Sequence, residues 1–209
     1  MANSYQIIDQ RNWKRATHCA IFRDSVEPSY CITWELDVTH FLQQVRAKGC
    51  SFTMAMIYAV ARCANEIEEF RYRFLDDQVV LFDRIDTSFT YLEPETELFK
   101  VVTVEMQDTM EDYVALATKT AREQKAYFIG VPDIDIFHFS ALPWIPFTSI
   151  THTIPKKREA TPVFDWGKYT QRDGRYYLPF SVQVHHSFVD GVHVGKLAAA
   201  LQSYLDGDL

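Results

Sequence analysis

The stretch Val182–Gly195, VQVHHSFVDGVHVG, ends an apolar run on two adjacent histidines. An aspartate, a glycine and a third histidine follow. Upstream, YYLPFSVQV (residues 176–184) reads as a strand. Strand alternation puts Phe180, Val182, Val184 and His186 on one face and Ser181, Gln183 and His185 on the other. The apolar company marks the first face as buried. His186 is therefore expected to close an apolar face, and His185 to sit among polar residues. A buried neutral imidazole needs its tautomer fixed by a hydrogen bond, and is then a candidate general base. Asp190 follows a turn-like SFVDG; if buried, its carboxylate must be paired. Taken alone, a histidine at a strand end is more often an ordinary, satisfied core histidine. A metal site built from His186, Asp190 and His193 has no established ligand spacing, and the HExxH pattern is absent, so no metal is expected.

Working outward, helical periodicity predicts four helices. They lie in DVTHFLQQVRAKG (37–49, Thr39 as N-cap and Gly49 as stop), SFTMAMIYAVARCANEI (51–67), DTMEDYVALATKTAREQKAY (108–127, opened by Thr109 with Asp112 three residues on) and VGKLAAALQSYL (194–205). Strand-like runs lie between them at residues 29–38, 78–83, 87–92, 99–106, 135–142, 147–154 and 176–184. Asp173-Gly174 marks a hairpin ahead of the last run. Strands and helices mix without regular alternation, which predicts an α+β fold, a two-layer sandwich with helices packed on a mixed sheet.

The chain has 209 residues, enough for one domain spanning 1–209 with a substantial core. Hydrophobic residues at 47% against charged residues at 23% exclude a disordered chain. A net charge of -7 argues against a nucleic-acid surface. No run is long and apolar enough to span a bilayer, and the first residues show no signal-peptide core, so a cytoplasmic setting with reduced thiols at Cys19, Cys31, Cys50 and Cys63 is expected.

HHSFVDG resembles the HHxxxDG motif of CoA-dependent acyltransferases. That motif is shared by chloramphenicol acetyltransferases, acyltransferase cores of 2-oxo-acid dehydrogenase complexes and condensation domains. IDQRNWKR (8–15), the helix pair at 37–65, FTYLEPETELFK (89–100), FSALPWIPFTS (139–149), VFDWGKYTQRDGRYYLPFSVQVHH (163–186) and DGVHVGKL (190–197) are together similar to chloramphenicol acetyltransferases, in order, from about Tyr5 to Leu205.

The resemblance implies a homotrimer with active sites at subunit interfaces, acetyl-CoA as co-substrate with no tightly bound cofactor, and a small hydroxyl-bearing acceptor. It implies that His186 takes the proton from the acceptor hydroxyl, whose oxygen attacks the thioester directly in a ternary complex, and that Ser140 donates to the oxyanion. Asp190 would pair with Arg15 to fix the histidine loop, with His193 in support. Ile21, Phe22, Val26, Phe99, Val101 and Asp165 would line the acceptor site. Lys168, Tyr169 and Trp144 would lie near the cofactor. Two departures stand out. A family K-x-Y pair appears here as Ser51 and Thr53. Asp165 replaces a family threonine, and an ionised carboxylate there would repel a developing oxyanion; it points away, is protonated, or serves a different acceptor. A catalytically weak CoA- or small-molecule-binding relative, and a dihydrolipoamide acyltransferase-like enzyme, are the alternative functions.

Overall fold

The computed structural model describes residues 3–129, 134–153 and 158–207. In chain order its elements are β1 (Tyr5–Ile7), α1 (Ala16–Phe22), β2 (Ser29–Asp37), α2 (Thr39–Ala47), α3 (Phe52–Asn65), a 3-10 turn (Glu68–Phe70), β3 (Tyr72–Leu75), β4 (Gln78–Phe82), β5 (Asp86–Glu93), β6 (Leu98–Val104), α4 (Met110–Glu123), β7 (Ile136–Leu142), β8 (Val163–Gly167), β9 (Thr170–Arg172), β10 (Arg175–His185) and α5 (Gly191–Asp206).

The main sheet runs β2-β10-β8-β7-β5-β6, with β9 paired to β10. β7 is parallel to both β5 and β8, while β10 is antiparallel to β2 and β8, so the sheet is mixed. β1, β4 and β3 form a small separate sheet. One face of the main sheet carries Phe139, Phe164 and Val182 in register and packs under the helices. The fold is α+β, as the unalternating pattern predicts.

The opposite face is polar, because every second residue of the same strands is polar. Thr33, Ser181, Asp165 and Ser140 form one row across β2, β10, β8 and β7. The next row runs Cys31, Gln183, Val163, His138 and Ser88. Buried polar groups need partners; in the first row Thr33 Oγ1 donates to Ser181 Oγ at 3.1 Å, and Ser181 Oγ donates to the Ile32 carbonyl at 3.2 Å.

Several local expectations change. Residues 147–153 form no strand, and Ile154 lies outside the described residues. Both edges of β10 are already taken by β2 and β8, so this segment bonds side chains instead. The His152 N–H donates to Gln183 Oε1 at 2.7 Å, and the Gln183 amide donates back to the His152 carbonyl at 3.0 Å. Thr39 is the first residue of α2 rather than its cap; its N–H and hydroxyl both donate to Asp37 Oδ1, at 3.0 and 2.6 Å. α5 begins at Gly191, so His193 sits in its first turn. α1, β1 and β3 carry no clear periodicity and are seen only in the structure. The hairpin at Asp173-Gly174 is present, with φ of 50° and 79° in the left-handed region that such turns require.

Candidate active site

His186 stands just past the end of β10, with its N–H donating to the Pro28 carbonyl at 2.8 Å. Its ring stacks on Phe22, with centroids 4.1 Å apart and planes 2° from parallel, and tilts against Tyr30 at 4.9 Å. Nδ1 lies 3.2 Å from Asp190 Oδ1, but at an angle that leaves it without a hydrogen bond. The side chain is 37% exposed.

The burial of the two histidines is thus the reverse of the strand-face expectation. His185 is 2% exposed, edge-on to Phe74 at 5.4 Å, and its Nδ1 accepts from the Ser187 N–H at 3.1 Å. β10 ends at His185 and the chain turns there, so alternation no longer governs His186. His185→Ala should cost about 2 kcal/mol through a lost buried ring and an unpaired Ser187 N–H. Differential scanning calorimetry should show a Tm lowered by roughly 6 °C.

Asp190 is the N-cap of α5 and accepts a bidentate pair from Arg15: Nη1 to Oδ2 at 2.7 Å and Nη2 to Oδ1 at 3.0 Å. The Arg15 guanidinium holds the Asp190 carboxyl below the usual carboxylate range. Arg15 is buried, and its Nε also donates to the Ser187 carbonyl at 3.4 Å. His193 Nδ1 accepts from the Asp190 N–H at 2.8 Å, which fixes that tautomer, and its Nε2 lies 3.4 Å from Glu69. Burial pushes the His193 pKa down. His186, Phe22, Asp190, Arg15 and His193 therefore form one cluster. Tyr30 and Glu69 join it without a motif to announce them.

A second cluster lies on the polar face of the sheet. A cavity of about 410 Å³ is lined by Ser140, Val101, Phe128, Phe139, His138 and His152, among others. Asp165 is fully buried beside it, and His152 Nε2 lies 3.0 Å from both of its carboxylate oxygens. That bond raises the His152 pKa. The carboxylate at Asp165 is therefore bonded by an imidazole 13 residues away in sequence, a contact that no local pattern reveals. Phe99 is exposed and meets the cavity residue Phe128 edge-on at 5.9 Å. Ile21 and Val26 are exposed, near Phe22 in sequence but outside the cavity lining.

Lys168 and Tyr169 follow the end of β8, where the segment after Trp144 approaches them. The Lys168 N–H donates to the Ile145 carbonyl at 2.8 Å, and Arg46 Nη2 donates to the Tyr169 hydroxyl at 3.3 Å. Gly167 permits this approach, because a Cβ there would stand 2.6 Å from the Ile145 carbonyl oxygen. Ser51 caps α3, accepting from the Met54 N–H at 3.4 Å. Among the described residues no group of three or more His, Cys, Asp or Glu side chains is gathered to hold a metal ion, and no helix is long and apolar enough to cross a membrane.

The two clusters are apart within one chain. β10 ends at His185, four residues or roughly 13 Å along the strand from Ser181, the register partner of Asp165, and His186 lies past that end. Ser140 lies one strand further across, on β7, so it is about 10 Å sideways from β10.

Comparison with known proteins shows the family. The family profile described as Chloramphenicol acetyltransferase matches residues 3–202. The chain is 28% identical to chloramphenicol acetyltransferase 3 of Escherichia coli over 211 residues, covering 99% of each. It is 31% identical to another Escherichia coli chloramphenicol acetyltransferase over 206 residues, covering 97% of this chain and 94% of that one. A solved chloramphenicol acetyltransferase superposes with a TM-score of 0.89 at 32% identity, covering 97% and 100%. A probable dihydrolipoamide acetyltransferase from Listeria monocytogenes shares the fold, with a TM-score of 0.69 at 15% identity over 99% and 95%. The chain belongs to the chloramphenicol acetyltransferase family and is an acyltransferase.

Proposed function

We propose that this protein transfers an acetyl group from acetyl-CoA to a hydroxyl of chloramphenicol or a related small molecule, at sites formed between the subunits of a homotrimer. The observation that carries the reading is the division of the site. His186 with its clamp stands past the end of β10, while Ser140 stands two strands across and farther back along the sheet, which supports a site completed by a second copy. A second copy supplies the missing half. The exposed Ile21, Val26, Phe99, Phe128 and Trp144 are the apolar surface that such an assembly would cover.

The chemistry follows from the two halves. An acceptor hydroxyl is a poor nucleophile until a positioned base removes its proton, and the stacked imidazole of His186 is placed for that task. The oxygen attacks the thioester carbonyl and forms a tetrahedral oxyanion, toward which Ser140 donates its hydroxyl. Collapse expels the CoA sulfur, which takes the proton from His186, and the acetyl ester leaves without an acyl-enzyme. Trp144, Lys168 and Tyr169 flank the CoA. Arg15, Asp190 and His193 hold the base in place.

Thiol release from acetyl-CoA tests the activity, followed without acceptor, with chloramphenicol and with a panel of other alcohols. Acceptor-dependent release is expected. Light scattering on the eluting protein should give a trimer; a stable, fully active monomer near 24.3 kDa overturns the shared site.

A further inference from the structure

The cavity on the polar face holds a histidine–carboxylate pair that the proposed chemistry does not require. His152 lies outside any helix or strand, yet it is fixed at three points. Its N–H and carbonyl are both bonded to the buried Gln183 amide, and its Nε2 faces both oxygens of Asp165. With Nε2 committed to Asp165, Nδ1 is the nitrogen left for the cavity, and it bonds to none of the described residues. Asp165 and Ser140 are register partners on adjacent parallel strands, so the pair lies beside the serine hydroxyl.

We propose that His152, held by Asp165, is a second catalytic imidazole: protonated, it places a charged N–H donor beside Ser140 and stabilises the oxyanion formed there. This rests on the reading of Ser140 as an oxyanion donor. A neutral hydroxyl stabilises an oxyanion by one hydrogen bond. An imidazolium adds charge, and charge-assisted bonds are about twice as strong. The Asp165 carboxylate behind it holds the ring in orientation and favours its protonated form.

The charged and titratable groups around His152 are few. Asp165 on β8 bonds it directly. His138 on β7 is pushed down to about 4 by burial, with Arg73 and His152 adding to the effect, so it is neutral near pH 7. The Cys31 thiol on β2 is raised by burial and stays protonated. Glu159 lines the cavity wall. The consequence is a pH dependence that belongs to His152. His152 must be protonated to stabilise the oxyanion, so its contribution is present at low pH and is lost as pH rises through its raised pKa.

The test is kcat and KM for acetyl transfer to chloramphenicol across about pH 5.5–9.5 in wild type, His152→Gln, Asp165→Asn and His186→Ala. Wild type should show a descending limb as pH rises. His152→Gln keeps a neutral donor of similar reach. It should lose roughly 100-fold in kcat near neutral pH and lose the descending limb. Both KM values should stay within about threefold. Asp165→Asn keeps the imidazole but should move the descending limb to lower pH. A descending limb that survives in His152→Gln, or a loss confined to KM, overturns the role of His152. Transfer that persists in His186→Ala overturns the underlying reading instead. Absence of transfer by wild type to chloramphenicol and to a panel of primary alcohols overturns both.

Discussion

His186→Ala and Ser140→Ala, each nearly inactive alone, are expected to regain activity when unfolded together and reassembled. Removing the base should lower transfer by up to ~10⁴-fold. Removing the oxyanion donor should lower it by about 10²–10³-fold. If each site takes His186 from one chain and Ser140 from its neighbour, a mixed trimer contains sites with both residues intact. Random assembly in equal amounts makes about a quarter of the sites whole. Activity should then recover to about that fraction of wild type, far above either parent. Each variant refolded alone is the control. No recovery on mixing would place base and donor in the same chain and defeat the interfacial site.

Arg15→Ala should cost both stability and activity. Arg15 is buried and the Asp190 side chain is largely so, at 30% exposure. Losing the guanidinium removes a bidentate charged contact and leaves the carboxylate without its cation. The expected destabilisation is about 2–3 kcal/mol, below that of breaking a fully buried pair because water reaches Asp190. Urea unfolding at pH 7 should report it as a lower midpoint with an unchanged slope. Because Asp190 Oδ1 is also 3.2 Å from His186 Nδ1, kcat should fall further than the folded fraction explains. The pH sign is fixed by the Asp190 pKa, which is lower in the folded state. The pair's contribution is full above the unfolded-state pKa and is lost as pH falls through the folded-state value. Wild type and Arg15→Ala should therefore converge in stability at acid pH. A constant gap down to acid pH would assign the loss to packing rather than to charge.

Much of this was legible in the sequence where periodicity and motif act locally. The α+β class, the helices from residues 39 to 65 and the Asp173-Gly174 hairpin all follow from spacing and turn chemistry. The Arg15–Asp190 pair was readable only through the family resemblance, since a lone arginine in NWKR carries no signal of its own. What escaped reading was set by tertiary geometry. The strand-face argument failed at His186 because alternation stops where β10 stops. Residues 147–153 have a strand-like composition but meet β10, whose two edges β2 and β8 already occupy. His152 gives no sign that it reaches Asp165, because the contact depends on Gln183 side-chain bonds that replace a backbone ladder.

Helix α1 has only seven residues and buries only Cys19, so it would not persist as an isolated peptide. It endures because Arg15 at one end grips Asp190, Phe22 at the other lies on His186, and Ser187 Oγ donates to the Cys19 carbonyl at 3.1 Å. These are the same contacts that hold His186, the proposed base, in place. The helix and the competent site thus form one cooperative opening unit, which can breathe while the sheet and its helix layer stay intact. Amide hydrogens of α1 should exchange sooner than those of β10, and on gentle heating the protein should fall silent before its tertiary core melts.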